Sequence, residues 1–482
     1  MRRSEPVDDD ILRINEMREN RMSETSYDVI VIGAGAGGVP AAIRAAQLGG
    51  RVAIIEREHL GGFCMNRGCI PFGQMMVASS ILGKILLGKE MGLDFTDIST
   101  NYSALITRQN ELISFMRQGV KGMLAKNGVT LIEGVGRIVG KGRVEVNGSI
   151  FPCENIILAT GSEWVRPDFP GADLEEATNS DYLLSAEELP KRVLLFGESP
   201  WLVEIAQFLQ RFGSHAILLT KDKSILSSES KTVSSRLRKV LKREGVVIKT
   251  EGEIVSGTKK KDGLHIELSS KDGREILVVD RIITIERRAF LKGLGLEKIL
   301  PGDTGPYLSV NNKMETGVEG LYAIGDLTGP QLRHYSHLSS EQGIVAAENA
   351  MGRDVAINPR TVTRVLFTQP QIACVGLTPK EAKKAGYDVV VGSAPYSMNP
   401  FGMIISENEG IVELVAEKKY GELLGVHFFG ESACEMVGQA ILAIKMEMTL
   451  EELAKISFPH PTLSESLVEA ARDALGEAIY LP

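Results

Sequence analysis

Tyr27-Asp28-Val29-Ile30-Val31-Ile32-Gly33-Ala34-Gly35-Ala36-Gly37-Gly38 runs into a helical pattern through Leu48 and then a second apolar run, Val52-Ala53-Ile54-Ile55, ending at Glu56. A β-branched strand, a glycine-rich turn, a helix and a second strand make one βαβ unit of a parallel sheet. Gly33, Gly35 and Gly38 stand where the backbone must turn, approach a pyrophosphate and let helix pack on strand. The helix start adds N–H donors and a positive dipole end, and Glu56 can accept both hydroxyls of an adenosine ribose. This stretch predicts an α/β, doubly wound domain that binds a dinucleotide.

Next comes Gly61-Gly62-Phe63-Cys64-Met65-Asn66-Arg67-Gly68-Cys69-Ile70-Pro71. Two cysteines five positions apart lie about 8 Å apart in a regular helix, beyond the roughly 7 Å limit for a bridge. A disulfide here requires a distorted segment. Gly68 permits the distortion and Pro71 limits the hydrogen bonding beyond it. The competing reading is a pair of buried free thiols, and a metal site would need ligands that are not nearby in the sequence. Behind a dinucleotide unit, the segment reads as a redox-active pair.

The composition narrows the classes. With 482 residues, 43% of them hydrophobic, the chain can bury a large core and divide into several domains. A net charge of −8 argues against nucleic acid or an anionic membrane surface as partner. No stretch approaches the about 18 uncharged apolar residues of a membrane span. Five cysteines with one close pair do not make a secreted disulfide framework, which points to a reducing, cytoplasmic compartment. Arg2 and Arg3 are followed by Asp8, Asp9 and Asp10 where an export signal needs its apolar core. Residues 1–22 read as an extension that either forms a short helix or precedes a true start at Met22.

Further along, Ile156-Ile157-Leu158-Ala159-Thr160-Gly161 is a buried strand running into a tight turn. A second βαβ pattern follows, with strand Val193 to Phe196, turn Gly197-Glu198-Ser199-Pro200-Trp201-Leu202, a helix to Phe212 and strand Ala216 to Leu219. Ser199 and Leu202 occupy its second and third glycine positions, where side chains obstruct a pyrophosphate. Thr220 stands at the position matching Glu56, with Lys221 and Lys223 after it. A third signal, Ala323-Ile324-Gly325-Asp326, ends a strand on a carboxylate at the edge where ligands of α/β sheets bind. Near the C-terminus, Pro459-His460-Pro461-Thr462-Leu463-Ser464-Glu465 sets a histidine five residues from a carboxylate. An oriented acid or base needs such a pair, although a lone histidine is more often a satisfied core residue.

Taken together, these segments resemble the pyridine nucleotide–disulfide oxidoreductases, and His-Pro-Thr-Leu-Ser-Glu is similar to their lipoamide branch. The similarity runs from Ser23 to the C-terminus. It implies two Rossmann-like domains, of FAD and NAD(P) type, plus a C-terminal α+β dimerisation domain in a homodimer. The implied boundaries are 23–165 for the first part of the FAD domain, 166–285 for the NAD(P)-like domain, 286–355 for a central domain completing the FAD site, and 356–482 for the interface domain. Carried over residue by residue, Cys64 is the interchange thiol, Cys69 the flavin-side thiol, and His460 the base oriented by Glu465, serving the partner subunit's redox pair. The resemblance assigns FAD to Gly33, Gly35, Gly38, Glu56, Arg57, Gly62, Thr160, Gly161, Gly325 and Asp326. Gly197 and Glu204 fall on the nicotinamide side. The implied substrate is a small dithiol or a lipoyl protein, with NAD or NADP as acceptor.

The chain also departs from that pattern. The family's flavin-side lysine is Gly73 here, while its glutamate partner is kept as Glu204. Arg67 between the cysteines either supplies the missing positive charge or is an ordinary solvated arginine. The usual Gly-Arg-x-Pro-Asn signature reads Glu286-Arg287-Arg288-Ala289-Phe290. These losses leave a second expectation open, an electron-transfer subunit that reduces a partner redox protein instead of NAD(P). A flavin-binding regulatory subunit is the third reading, opposed by the intact cysteine and histidine–glutamate sets.

Overall fold

The computed structural model describes residues 26–300, 302, 305–329 and 335–482, so the extension read over residues 1–22 lies outside the described residues. The described residues divide into two compact units, one within 26–66, 114–163 and 288–357, the other within 67–113, 164–287 and 358–482.

In the first unit the strand Tyr27–Ile32 is flanked in parallel by Val52–Glu56 and Ser149–Leu158, and the parallel set extends to Thr130–Glu133 and Leu321–Ala323. All six residues of Tyr27–Ile32 are buried, as expected for a central strand covered on both faces. Antiparallel strands Arg137–Gly140 and Arg143–Val146 continue the sheet from Ser149–Leu158. The helix Gly38–Gln47 packs tightly on this sheet because its first residue has no side chain: a Cβ on Gly38 would lie 1.9 Å from the Gly33 carbonyl oxygen.

The second unit holds a five-stranded parallel sheet ordered Val247–Lys249, His215–Leu219, Arg192–Phe196, Arg281–Thr284, Ala177–Asn179. A three-stranded antiparallel meander, Glu253–Lys260, Gly263–Ser270 and Gly273–Val279, belongs to the same unit. Its C-terminal part is a five-stranded antiparallel sheet ordered Thr363–Leu366, Gln371–Gly376, Leu423–Gly430, Ile411–Glu417, Val389–Pro395. One face of that sheet, through Ala373, Val375, Val412, Leu414, Val426 and Phe428, joins the apolar core with the helices Ala433–Lys445 and Glu465–Leu475. Two nucleotide-type parallel sheets and a C-terminal α+β portion are the architecture expected from the sequence. No helix among the described residues is long and apolar enough to cross a membrane.

Candidate active site

The first glycine turn forms a cradle with no room for side chains at Gly33, Gly38 and Gly62. A Cβ on Gly33 would meet the Ala159 carbonyl oxygen at 2.4 Å, and one on Gly62 would meet Gly35 Cα at 2.6 Å. Gly35 and Gly62 thus bring two backbone segments together, and the approach demands glycine at 62, whereas a Cβ on Gly35 would stand 3.7 Å from Gly62 Cα, an ordinary contact. Glu56, at the end of its strand, accepts the Ala34 amide hydrogen on Oε2 and the Glu58 amide hydrogen on Oε1, each at 2.9 Å. A carboxylate has about four lone-pair sites, so this one is fixed in place and keeps capacity for two hydroxyls. The residues at this turn fit the adenosine end of a dinucleotide.

The rest of the predicted set lies in the same unit. The Thr160 hydroxyl donates to the Phe290 carbonyl at 2.9 Å, and the Phe290 amide donates to the Gly161 carbonyl at 2.9 Å. Arg57 lays its guanidinium 4.2 Å from the centre of the Phe290 ring. The Gly325 amide donates to Gln342 Oε1 at 2.6 Å, and Asp326 Oδ2 accepts the Ser162 hydroxyl at 2.5 Å. Sequence reasoning missed Ser162 and Gln342, since nothing local marks a hydroxyl 164 residues from its acceptor.

Cys64 lies on the short helix Gly62–Arg67 and Cys69 opens the helix Cys69–Gly88. Between them Gly68 leaves helical geometry, at φ −126° and ψ −109°. The break falls at the residue the sequence marked for distortion. Cys64 is half-buried and Cys69 exposed. Arg67 pairs with Asp181 at 3.9 Å, and Asp181 also accepts the Trp164 indole N–H at 2.8 Å. Arg67 is exposed, in keeping with the reading of a solvated arginine, and its charge lies beside a carboxylate 114 positions further along the chain, a pairing the sequence did not indicate.

Glu204 sits on the helix Pro200–Arg211, and its Oε1 accepts the Phe367 amide hydrogen at 2.7 Å. Burial pushes its carboxyl up to about 7, the Phe367 N–H opposing and the Cys69 charge adding to the rise. Burial also pushes the Cys434 thiol up to about 12, with Glu204 adding. Gly73, where the resemblance expects a lysine, has open space around it: a Cβ there would meet nothing within 4 Å among the described residues.

At the second glycine turn the donor set is thin. Pro200, the first helical residue, carries no N–H, and the Leu202 amide is committed to the Ser199 carbonyl at 3.1 Å. Leu202 is fully buried, and Gly197 faces its Cδ1 at 3.2 Å from where a Cβ would stand. Trp201 stacks on Trp164 at 6.3 Å and meets Phe72 edge-on at 4.8 Å. These residues do not fit a pyrophosphate in the way the first turn does.

His460 Nδ1 lies 3.0 Å from Glu465 Oε1, while Glu465 Oε2 accepts the Thr462 amide hydrogen at 2.9 Å. The imidazole is 65% exposed. Asn399 donates to the Thr462 carbonyl at 2.9 Å and Gln439 to the Ser464 hydroxyl at 2.8 Å, which ties down the loop that carries the pair.

Comparison with known proteins gives the family. Residues 27–352 match the family model described as pyridine nucleotide-disulphide oxidoreductase, and residues 362–471 match its dimerisation domain. A dihydrolipoyl dehydrogenase of Thermus scotoductus is 38% identical over 462 residues, covering 95% of this chain and 99% of that one. One from Bacillus subtilis is 31% identical over 477 residues, covering 95% of this chain and 99% of its own length. Among solved structures, LpdA from Mycobacterium tuberculosis superposes with a TM-score of 0.84 at 24% identity, covering 92% of this chain and 99% of its own. The flavoprotein disulfide reductase RclA from Escherichia coli gives 0.80 at 23%, with the same coverage. The chain belongs to the pyridine nucleotide–disulphide oxidoreductase family.

Proposed function

We propose that this protein is an FAD-dependent dithiol–disulfide oxidoreductase of the dihydrolipoamide dehydrogenase kind, taking electrons from a lipoyl-type dithiol and passing them to NAD(P). The observation that carries this reading is the His460–Glu465 pair, an exposed imidazole held by a fixed carboxylate. A carboxylate only accepts, so in the neutral ring the hydrogen sits on Nδ1 and the lone pair is left on Nε2. Nε2 then takes a proton from a substrate thiol, since the thiolate and not the thiol attacks a disulfide. In a homodimer, which the dimerisation-domain match supports, this base serves the partner subunit's Cys64. The substrate sulfur bonds to Cys64 and releases Cys69 as a thiolate; the second substrate thiol, losing its proton, then displaces Cys64. The substrate leaves as a disulfide and the cysteine pair is left reduced, so two electrons have moved.

The cradle of Gly33, Gly35, Gly38 and Gly62 would hold the pyrophosphate of FAD and Glu56 its adenosine ribose. Arg57, Thr160, Gly161, Gly325 and Asp326 supply the remaining contacts in this assignment. Bound FAD supplies the two-electron acceptor for the reduced pair. Five cysteines with one close pair support a cytoplasmic setting.

The depleted turn at Pro200 and the aromatic cluster of Trp201, Trp164 and Phe72 favour a second reading, in which a partner redox protein replaces NAD(P). One anaerobic experiment addresses both. Titration with dihydrolipoamide should raise the long-wavelength thiolate-to-flavin absorption, and its absence with several small dithiols would sink the substrate assignment. Stopped-flow mixing of the reduced protein with NAD and then NADP follows. Rapid reoxidation by either nucleotide supports the first reading, and none by either supports the partner.

A further inference from the structure

The antiparallel C-terminal sheet places four polar side chains in one cross-strand row. Arg364 stands opposite Cys374, Cys374 opposite His427, and His427 opposite Glu413. Their chain neighbours Ala373, Val375, Val412, Leu414, Val426 and Phe428 line the core on the other face. Strand alternation therefore forces the four onto a common face. Glu229, just ahead of the helix Lys231–Arg243, joins the row, with both carboxylate oxygens 3.0 Å from Arg364 Nε. None of these residues has a part in the function proposed above.

From this arrangement we propose that Glu229, Cys374 and His427 form a buried site for a zinc-type divalent cation. A carboxylate oxygen, the thiol sulfur and a ring nitrogen of these residues all lie within 4.8 Å of one another. Zinc bonds of about 2.0–2.3 Å place tetrahedral ligand atoms roughly 3.3–3.8 Å apart, so a small inward shift closes the set. Cys374 and His427 are fully buried and Glu229 is 7% exposed.

The imidazole carries the argument. His427 Nε2 lies 3.1 Å from the Leu377 carbonyl oxygen, which can only accept, so the ring hydrogen is on Nε2. Nδ1 is buried and has no hydrogen-bond partner among the described residues. A ring held through one N–H by a backbone carbonyl, with a bare lone pair on its other nitrogen, is the arrangement of a metal-binding histidine.

Charge points the same way. The row and Glu229 together hold two carboxylates, Glu229 and Glu413, and one guanidinium, Arg364, which leaves the set at −1 with Cys374 as a thiol. Ser230 and Thr232 donate to Glu413 at 2.6 and 2.7 Å, but hydroxyls do not neutralise it. Buried charge of one sign is costly. A divalent cation bound with loss of the Cys374 proton to solvent brings the set to zero. Mixed nitrogen, sulfur and oxygen donors suit zinc over magnesium or calcium. The ion would clasp the segment before Lys231–Arg243 to two strands of the sheet.

The test uses the full-length holoprotein carrying Cys64→Ser and Cys69→Ser, so that the redox pair cannot hold the metal. After chelator dialysis, incubation with zinc chloride and desalting, metal content is measured by mass spectrometry. The expected result is one zinc per chain, with a single sulfur neighbour at about 2.3 Å in zinc-edge X-ray absorption. Adding Cys374→Val, which preserves core volume, or His427→Gln should lower retained zinc at least about tenfold. No retained zinc, zinc without a sulfur neighbour, or zinc unchanged by Cys374→Val would overturn the site and leave only a buried ionic network. The absorption spectrum of the parent decides the matter should either added substitution fail to fold.

Discussion

Glu204, buried on its helix, and Phe367 are joined by a 2.7 Å hydrogen bond from backbone amide to carboxylate. The same burial raises the acid from its ordinary 4.5 to about 7, so the folded protein holds a proton there that the unfolded chain gives up. Below about pH 4.5 both states are protonated and the stabilisation is complete; it is lost as pH rises to about 7, where slope follows the excess of protons bound by the fold. At 1.36 kcal/mol per unit the loss is about 3 kcal/mol. Glu204→Gln keeps an acceptor for the Phe367 amide and has no proton to lose. Denaturant unfolding at pH 4 and pH 8 should show the variant gaining about 3 kcal/mol on the parent between the two. A constant difference across that range would show that Glu204 does not titrate in it.

Gly73 offers a complementary change. Phe72 touches Trp201, and Glu204 is one helical turn beyond Trp201, so the helix Cys69–Gly88 meets the helix Pro200–Arg211 beside this acid. With nothing within 4 Å of its Cβ direction, Gly73→Lys should fold. An ammonium near the carboxylate favours its ionised form, so the pH-dependent loss should shrink. The measurement is again the stability difference between pH 4 and 8, expected to fall to less than half of the parent's.

At the histidine pair, Glu465 accepts from both His460 Nδ1 and the Thr462 amide. Glutamine has one acceptor oxygen and must turn its amide N–H toward one of those donors. Facing Nδ1, it forces the ring hydrogen onto Nε2 and removes the base. Glu465→Gln should lower kcat with dihydrolipoamide about 100-fold, and His460→Gln by about 100- to 10,000-fold. Normal turnover in His460→Gln would exclude this histidine as the base.

Restoring the third glycine of the second turn by shortening Leu202 should cost stability, because that side chain is fully buried among Val193, Leu195 and Phe208. Leu202→Ala is expected to lose about 2–5 kcal/mol in urea unfolding. A loss under about 1 kcal/mol would mean that the turn can reopen without disturbing the core.

The first nucleotide cradle was legible because its chemistry is local: turn glycines, an adjacent helix and an acid at the next strand end act within about thirty residues. The helix break at Gly68 was readable for the same reason. Other features depend on partners that no local pattern announces. Arg67 meets Asp181, Asp326 meets Ser162, and the acid at Glu204 is tuned by an amide 163 positions away. The row of Arg364, Cys374, His427 and Glu413 went unnoticed since each residue alone looks like a stray polar group in an apolar strand. Only the pairing of strands, fixed by which face is apolar, makes them neighbours.

That row also constrains the length of the chain within a strand. His427 is flanked by Val426 and Phe428, both directed to the opposite core. One residue inserted before it inside Leu423–Gly430 would rotate the imidazole into hydrocarbon and deliver an aliphatic or aromatic side chain to the carboxylates. Descendants of this sequence can exchange side chains along the strand far more readily than they can lengthen it, and relatives that differ here should do so by substitution, with gaps confined to the connecting turns.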